Sequence, residues 1–360
     1  MVEIIAEIGV NHNGSLKTAF DMIDVAKAAG ADIVKFQLFS ADKLVHKTAP
    51  LAEYQAKNMG KQQTQHAMLK NLELTYEDHL KLSDYCKLRD IEYLSTAFDE
   101  DSLEFLQGVI QQRRFKIPSG EITNGPFIAK HAEISRPLIL STGMATLSEV
   151  ETALSIINYV FKDHKVEPTS LKSILSENIS ENEQNKLKEL VTLLHCSTEY
   201  PTPIESVNLQ SMQTLGNAFN LNYGYSDHTE GVAVAVAATA LGANIIEKHF
   251  TLDKNAEGPD HLASLDPEEL ALLITSVRTA EKSMGSRVKR PSFSELETAK
   301  VARKSLVAAT KIIKGELITT DKLSTLRPGT GLSPVFYWDV IGSQATQDYE
   351  KGEFINASIR

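Results

Sequence analysis

A chain of 360 residues, 42% of them hydrophobic, can bury a large core, and its length suits two domains or one barrel carrying a module. A formal charge of −10, from 37 Lys and Arg against 47 Asp and Glu, argues against general affinity for nucleic acid or an anionic membrane, though a local basic site for a small anion remains open. Cys86 and Cys196 lack metal or redox spacing, no signal-peptide pattern opens the chain, and the most apolar long window, Gly231–Ala243, is too short to span a bilayer; a reducing, cytoplasmic setting is expected.

In chain order, eight short apolar runs read as strands: Glu3–Ile8, Asp32–Phe36, Ile91–Ser95, Arg114–Ile117, Pro137–Leu140, Val191–His195, Asn222–Tyr225 and Asn244–Glu247. Helical patterns alternate with them. Ser15 opens Leu16–Ala29, Thr75 opens a helix with Asp78 three residues on, and Thr146 opens Leu147–Phe161 with Glu149 in the same place. Gly30 and Gly242 stand where left-handed C-terminal caps belong. Strands that alternate with helices and end in polar residues describe an α/β fold, a (β/α)8 TIM barrel read at its C-terminal rim.

Two stretches break the rhythm. Ser40–Leu74, after the second strand, is expected to cover the rim, and Lys162–Lys188 is expected to be a solvated insertion on the opposite face. Asp266–Met284 closes the barrel, giving a domain over 1–284. Residues 285–300 read as a polar linker, and 301–360, with short apolar runs between Gly turns, as a small, mostly-β module.

The strand ends carry the chemistry. His228 and His249 end neighbouring strands beside Ser226, Asp227 and Glu247, and neutral imidazoles suit a divalent metal such as Mn with positions left open for substrate. His195, inside an apolar run, suits a buried hydrogen-bonded role as well as a site role, and His12 lies in the first rim loop. Lys35 and Lys116 sit in apolar strands, where an ammonium needs a partner; together they make a clamp for phosphate or carboxylate. Thr96, Ser119, Ser141 and Thr142 add hydroxyls, and Gly143 a backbone amide. Either lysine could instead form a Schiff base, a second mechanism. Glu7 and Glu121, ending strands one and four, could move a proton or pair with the lysines. Asp260 lies in the loop after strand eight, and Arg327 is presented on a Gly/Pro turn of the small module.

Taken together, Ala6-Glu7-Ile8-Gly9-Val10-Asn11-His12-Asn13-Gly14, Val34-Lys35-Phe36-Gln37, Lys116-Ile117-Pro118-Ser119-Gly120-Glu121, Leu140-Ser141-Thr142-Gly143-Met144, His195-Cys196-Ser197-Thr198-Glu199-Tyr200-Pro201, Tyr225-Ser226-Asp227-His228-Thr229 and Glu247-Lys248-His249-Phe250-Thr251 resemble the sialic acid synthases. The resemblance runs through Gly258-Pro259-Asp260-His261 to Arg327-Pro328-Gly329-Thr330-Gly331, which looks like that family's antifreeze-like (SAF) domain. It implies condensation of phosphoenolpyruvate with an N-acetylhexosamine. The first expectation is N-acetylmannosamine, giving N-acetylneuraminate and phosphate by C–O cleavage. The alternative is a legionaminic or pseudaminic acid synthase taking a 2,4-diacetamido-trideoxyhexose.

The resemblance further implies His228 and His249 as ligands of Mn, with Mg or Co as substitutes, and Glu7 and Glu121 as the acid–base pair. Lys35, Gln37, Thr96, Lys116, Ser119, Ser141 and Ser226 would hold phosphoenolpyruvate. Asn58, Tyr200, Asp260 and Arg327 would face the sugar, Arg327 reaching a partner's site in a homodimer with swapped C-terminal domains. Other readings are a Schiff-base aldolase and a carbohydrate- or ice-binding module without catalysis.

Overall fold

The computed structural model describes residues 1–52, 55, 56, 58, 64–162 and 170–356. The chain divides into two units, Met1–Gly285 and Ser286–Arg360. In the first, eight strands form one parallel sheet: β1 Glu3–Gly9, β2 Ile33–Leu38, β3 Glu92–Ala97, β4 Phe115–Ile117, β5 Leu138–Ser141, β6 Val191–Cys196, β7 Asn222–Asp227 and β8 Ile245–His249. The ladder runs β3-β2-β1-β8-β7-β6-β5-β4, so the sheet curls into the TIM barrel expected from the strand–helix alternation. Helices wrap it because each strand buries both faces, one against the barrel interior and one against a helix.

Side chains that close the barrel complete what the backbone ladder leaves open. Between β3 and β4 the amide of buried Gln112 takes the place of a ladder rung: its Oε1 accepts from Ser95 N and its Nε2 donates to Ser95 O, both at 3.1 Å. At the base, Arg114 ties Glu3 of β1, at 2.7 Å, to Glu92 of β3, at 2.9 Å. One interior layer is apolar and spans six strands, with Ile5, Ile33, Leu94, Ile139, Leu194 and Ile245 packed together. Gly224 of β7 shares that interior because a Cβ there would come within 2.4 Å of Ile245 O and 2.8 Å of Leu194.

The capping signals at Ser15, Thr75 and Thr146 all start helices, the latter two as full capping boxes. The described part of the 162–188 stretch is mostly exposed, as expected, and is helical. Among its described residues, Ser170 and Ser180 each open a helix, Leu171–Leu175 and Glu181–Leu190, the latter running directly into β6; residues 163–169 lie outside the described set. Among the described residues, no helix is long and apolar enough to cross a membrane.

The second half of the expected linker, 285–300, is helical. Ser292 and Glu295 form a capping box that starts Phe293–Ala302, a run of good helix formers that the polar composition disguised. β9 Ser305–Ala308 pairs antiparallel with β10 Leu323–Leu326, and a small core of Leu306, Ile312, Ile318, Tyr349 and Ile355 supports them.

Candidate active site

Strand periodicity decides which side chains meet. Residues two apart point the same way, so the apolar interior layer is followed, one step toward the rim, by polar residues. Ile5 leads to Glu7, Ile33 to Lys35 and Gln37, Leu94 to Thr96, Ile139 to Ser141, and Ile245 to Glu247 and His249. Ser226 and His228 continue β7 in the same way. These side chains line one cavity of about 510 Å³ at the C-terminal end of the barrel.

Its floor is a buried network of four charges. Lys35 Nζ lies 2.8 Å from Glu7 and 3.8 Å from Glu247, while Lys116 Nζ lies 2.5 Å from Glu247. Ser226 Oγ donates to the same Glu247 oxygen at 3.0 Å, and Gln37 Nε2 donates to Glu7 at 3.2 Å. Burial alone would neutralise Glu247, but Lys116 and Lys35 outweigh it and hold the carboxylate down at about 2. Glu7 goes the other way: burial dominates, Lys35 opposes it, the Glu247 charge adds to it, and the carboxyl is pushed up. Two adjacent carboxylates driven apart in this way can share acid and base duties. Burial lowers Lys116, whereas Glu247 and Glu7 overcome burial at Lys35 and raise it.

Above this floor, the rings of His228 and His249 lie 5.6 Å apart, and Tyr200 stacks on His228 at 4.1 Å. His228 Nδ1 hydrogen-bonds the Ser197 carbonyl, so it carries the proton and leaves Nε2 as the unprotonated nitrogen. Burial lowers His228 to about 4, and burial with the neighbouring His228 ring holds His249 well below its usual range; both are neutral imidazoles at pH 7. His249 Nδ1 is buried without a hydrogen-bond partner. Two neutral imidazoles with an orphaned ring nitrogen suit a divalent cation. Among the described residues no set of three His, Cys, Asp or Glu converges, so the remaining ligands would come from substrate and water.

Hydroxyls and amides complete the walls. Ser141 Oγ is buried without a partner, Ser119 Oγ accepts from Gly143 N at 3.0 Å, and Thr96 Oγ1 is 3.5 Å from Lys35. Gly143 has to be glycine, since a Cβ would sit 2.8 Å from both Ser119 and Thr198. Asp260 is buried; burial first and the Glu7 charge second push its carboxyl up to about 7. The stretch after β2 covers the cavity as expected, Met68, Leu69 and Leu72 of helix Gln65–Leu72 lining it together with Val10 and Phe98.

Most of the residues singled out from the sequence meet in this cavity: Glu7, Lys35, Gln37, Thr96, Lys116, Ser119, Ser141, Tyr200, Ser226, His228, His249 and Asp260. Glu121 does not line it. A single turn of tight helix, Ser119–Glu121, follows β4, and the Glu121 carboxylate accepts instead from Asn124 Nδ2 at 2.6 Å. Asn58 also lies outside the lining and donates to Pro259 O at 2.8 Å, which fixes the loop carrying Asp260; its neighbours 53, 54, 57 and 59–63 are outside the described residues. Arg327 is exposed on the second unit directly after β10. Thr142 spends its hydroxyl on Leu194 O at 2.9 Å, and His195 bonds Val207 O at 2.7 Å. His12 accepts from Gly14 N at 3.0 Å.

The carboxylate that shares Lys35 with Glu7 is Glu247. The signal for it was present in the sequence: it lies two residues before His249, on the same face of β8, whereas the intervening Lys248 faces outward into an ion pair with Asp227 at 2.8 Å.

A TIM barrel whose rim joins a lysine-bound carboxylate pair to two neutral imidazoles has the composition of a barrel synthase rather than of a binding module. Residues 22–289 match the NeuB family and residues 303–358 the SAF domain. The chain belongs to the NeuB family, the sialic acid synthase family. The N,N'-diacetyllegionaminic acid synthase of Legionella pneumophila is 44% identical over 349 residues, 97% of this chain and 92% of that protein. The N,N'-diacetyllegionaminic acid synthase of Campylobacter jejuni is 44% identical over 352 residues, 98% of each. The crystal structure of an N-acetylneuraminic acid (sialic acid) synthetase from Leptospira borgpetersenii serovar Hardjo-bovis, in complex with citrate, matches with a TM-score of 0.65 at 32% identity, over 82% of this chain and 90% of that one.

Proposed function

We propose that the protein condenses phosphoenolpyruvate with a 2,4-diacetamido-2,4,6-trideoxyhexose to give an N,N'-diacetyllegionaminic acid. The observation that carries this choice is the 44% identity, over nearly the whole chain, to two proteins of that name; the match to the N-acetylneuraminic acid synthetase is 32%. It favours the trideoxy acceptor over N-acetylmannosamine, the first expectation from the sequence.

In this reading Lys35 and Lys116, with Ser119, Ser141 and Thr96, orient the anionic groups of phosphoenolpyruvate above the barrel floor. The methylene carbon of phosphoenolpyruvate forms a bond to the aldehyde carbon, water adds to the neighbouring carbon that bears phosphate, and that carbon's bond to the phosphate oxygen breaks, so the added oxygen becomes the keto oxygen as its protons and phosphate leave. Glu7, held high by burial, passes a proton to the aldehyde oxygen, and Glu247, held low by the lysines, keeps both ammonium groups charged. His228 and His249 would hold a divalent cation, Mn with Mg or Co as substitutes, which when bound supplies Lewis-acid polarisation of the acceptor aldehyde. Tyr200 and Asp260 would face the sugar hydroxyls. The swapped homodimer, with Arg327 reaching a partner's acceptor, belongs to the same proposal; the mass in solution and the acceptor KM of Arg327→Ala test it.

The deciding experiment is phosphate release with Mn and phosphoenolpyruvate, comparing 2,4-diacetamido-2,4,6-trideoxymannose with N-acetylmannosamine. Higher kcat/KM with the trideoxy sugar is expected. Turnover of N-acetylmannosamine alone would return the assignment to N-acetylneuraminate synthesis.

A further inference from the structure

The cavity is two-faced. Its floor and rim are polar, but the wall opposite, made by the start of the first rim loop and by helix Gln65–Leu72, is apolar: Val10, Met68, Leu69, Leu72 and Phe98 line it, and all but Phe98 are at most 9% exposed. These residues also form their own small hydrophobic cluster, separate from the barrel core and anchored by Phe39 and Ala41, so the wall is a built surface. Gln65 lines the same wall and is partly exposed.

We infer that this wall is the specificity-determining surface for the acceptor, taking the C6 methyl and the C4 acetamido group of the trideoxy sugar. The inference rests on the function proposed above. With the aldehyde at the imidazole pair and phosphoenolpyruvate on the lysines, the covering wall is the apolar boundary available to the far end of the acceptor, beside the polar groups of Tyr200 and Asp260. A hexose with hydroxyls at C4 and C6 would press both against Met68, Leu69 and Leu72, apolar side chains that offer no hydrogen bond in exchange for lost hydration. In the trideoxy sugar, C6 is a methyl and C4 carries an acetyl methyl, both of which gain from apolar contact, and the Gln65 amide can pair with the one added amide. Asp260 and Tyr200 stand elsewhere on the cavity and can take the hydroxyls at C3 and C5 that both sugars keep.

The test is the ratio of kcat/KM for 2,4-diacetamido-2,4,6-trideoxymannose over that for N-acetylmannosamine. It would be measured with Mn in the full-length protein, in Met68→Gln and in the nearly isosteric Val10→Thr. The wild type should favour the trideoxy sugar, and each variant should lower the ratio, Met68→Gln by about tenfold or more. Val10→Thr keeps shape and volume, so it reads the wall even where Met68→Gln loosens the cover. A ratio unchanged in both variants, with a wild type that prefers the trideoxy sugar, overturns the wall and leaves the proposed function standing. A wild type that does not use the trideoxy sugar overturns the proposed function and this inference together.

Discussion

Lys116 and Glu247 meet at 2.5 Å at the bottom of the cavity, each at most 5% exposed, and Lys35 lies 3.8 Å from the same carboxylate oxygen. One carboxylate thus keeps two buried ammonium groups charged. Without it, Lys116 would have to tolerate both desolvation and the Lys35 charge, the two influences that already pull it down.

Glu247→Gln should therefore be costly to the fold before it is costly to chemistry. Removing one partner of a buried ion pair typically destabilises by about 3–5 kcal/mol, which urea unfolding at pH 7 would detect. Lys116, left with desolvation and the Lys35 charge, should then give up its proton more readily. Phosphate and phosphoenolpyruvate should bind more weakly than to the wild type at pH 7 and turnover should drop, and calorimetric titration reads the binding. Unchanged stability would mean that the carboxylate is not what sustains the lysines.

The imidazole pair makes a separate prediction. His249→Ala should abolish Mn binding, followed by calorimetry or the electron paramagnetic resonance signal of free Mn. It should lower turnover by about 10²- to 10³-fold, the several kcal/mol that a Lewis acid contributes to a carbonyl reaction. The imidazole contributes no buried hydrogen bond through Nδ1, so the unfolding temperature should change little. Full activity in this variant would remove the pair from the site.

The barrel and most of its rim were legible in the sequence because period-2 alternation and strand-end polarity are local signals. Lys35, His228 and His249 follow from those signals alone, since each ends or nearly ends an apolar run. Glu121 shows where the reading stops. A run of residues after a strand gives no account of how far the next turn carries a side chain, and here one tight turn delivers the carboxylate to Asn124. The helix Phe293–Ala302 was hidden because its apolar residues, Phe293, Leu296 and Val301 among them, are exposed and gather on no single face, with no buried residue to mark a period. The apolar covering wall was hidden because it joins residues nearly sixty positions apart, from Val10 to Leu69, through contacts that no local pattern encodes.

Asp260 gives the protein a distinct pH signature. Its carboxyl titrates at about 7 in the fold against an ordinary 3.8. Between those values the fold binds the proton more tightly than the unfolded chain, so this group's contribution to stability is complete below about 3.8 and is lost as pH rises to 7. The loss amounts to as much as about 4 kcal/mol. Asp260→Asn cannot ionise and should be more stable than the wild type at pH 8, the advantage vanishing by pH 4. Denaturant midpoints at the two pH values check it; equal differences at both would show that Asp260 ionises normally.

The seam between β3 and β4 offers the last test. Gln112 replaces a ladder rung by pairing with both backbone groups of Ser95, and its own carbonyl is held by Arg136 at 2.6 Å. Gln112→Leu leaves a buried N–H and a buried C=O unpaired, at a cost of about 2–4 kcal/mol. Gln112→Glu keeps an acceptor for Ser95 N but sets a carboxylate oxygen against Ser95 O, so it should be no better tolerated. The seam also separates Thr96 on β3 from Lys116 on β4, two of the groups proposed to hold phosphoenolpyruvate. Loosening it should raise the KM for phosphoenolpyruvate more than the KM for the sugar, although Gln112 is outside the cavity lining. Equal changes in the two constants would indicate general loosening of the barrel rather than a seam that sets the spacing of the anion site.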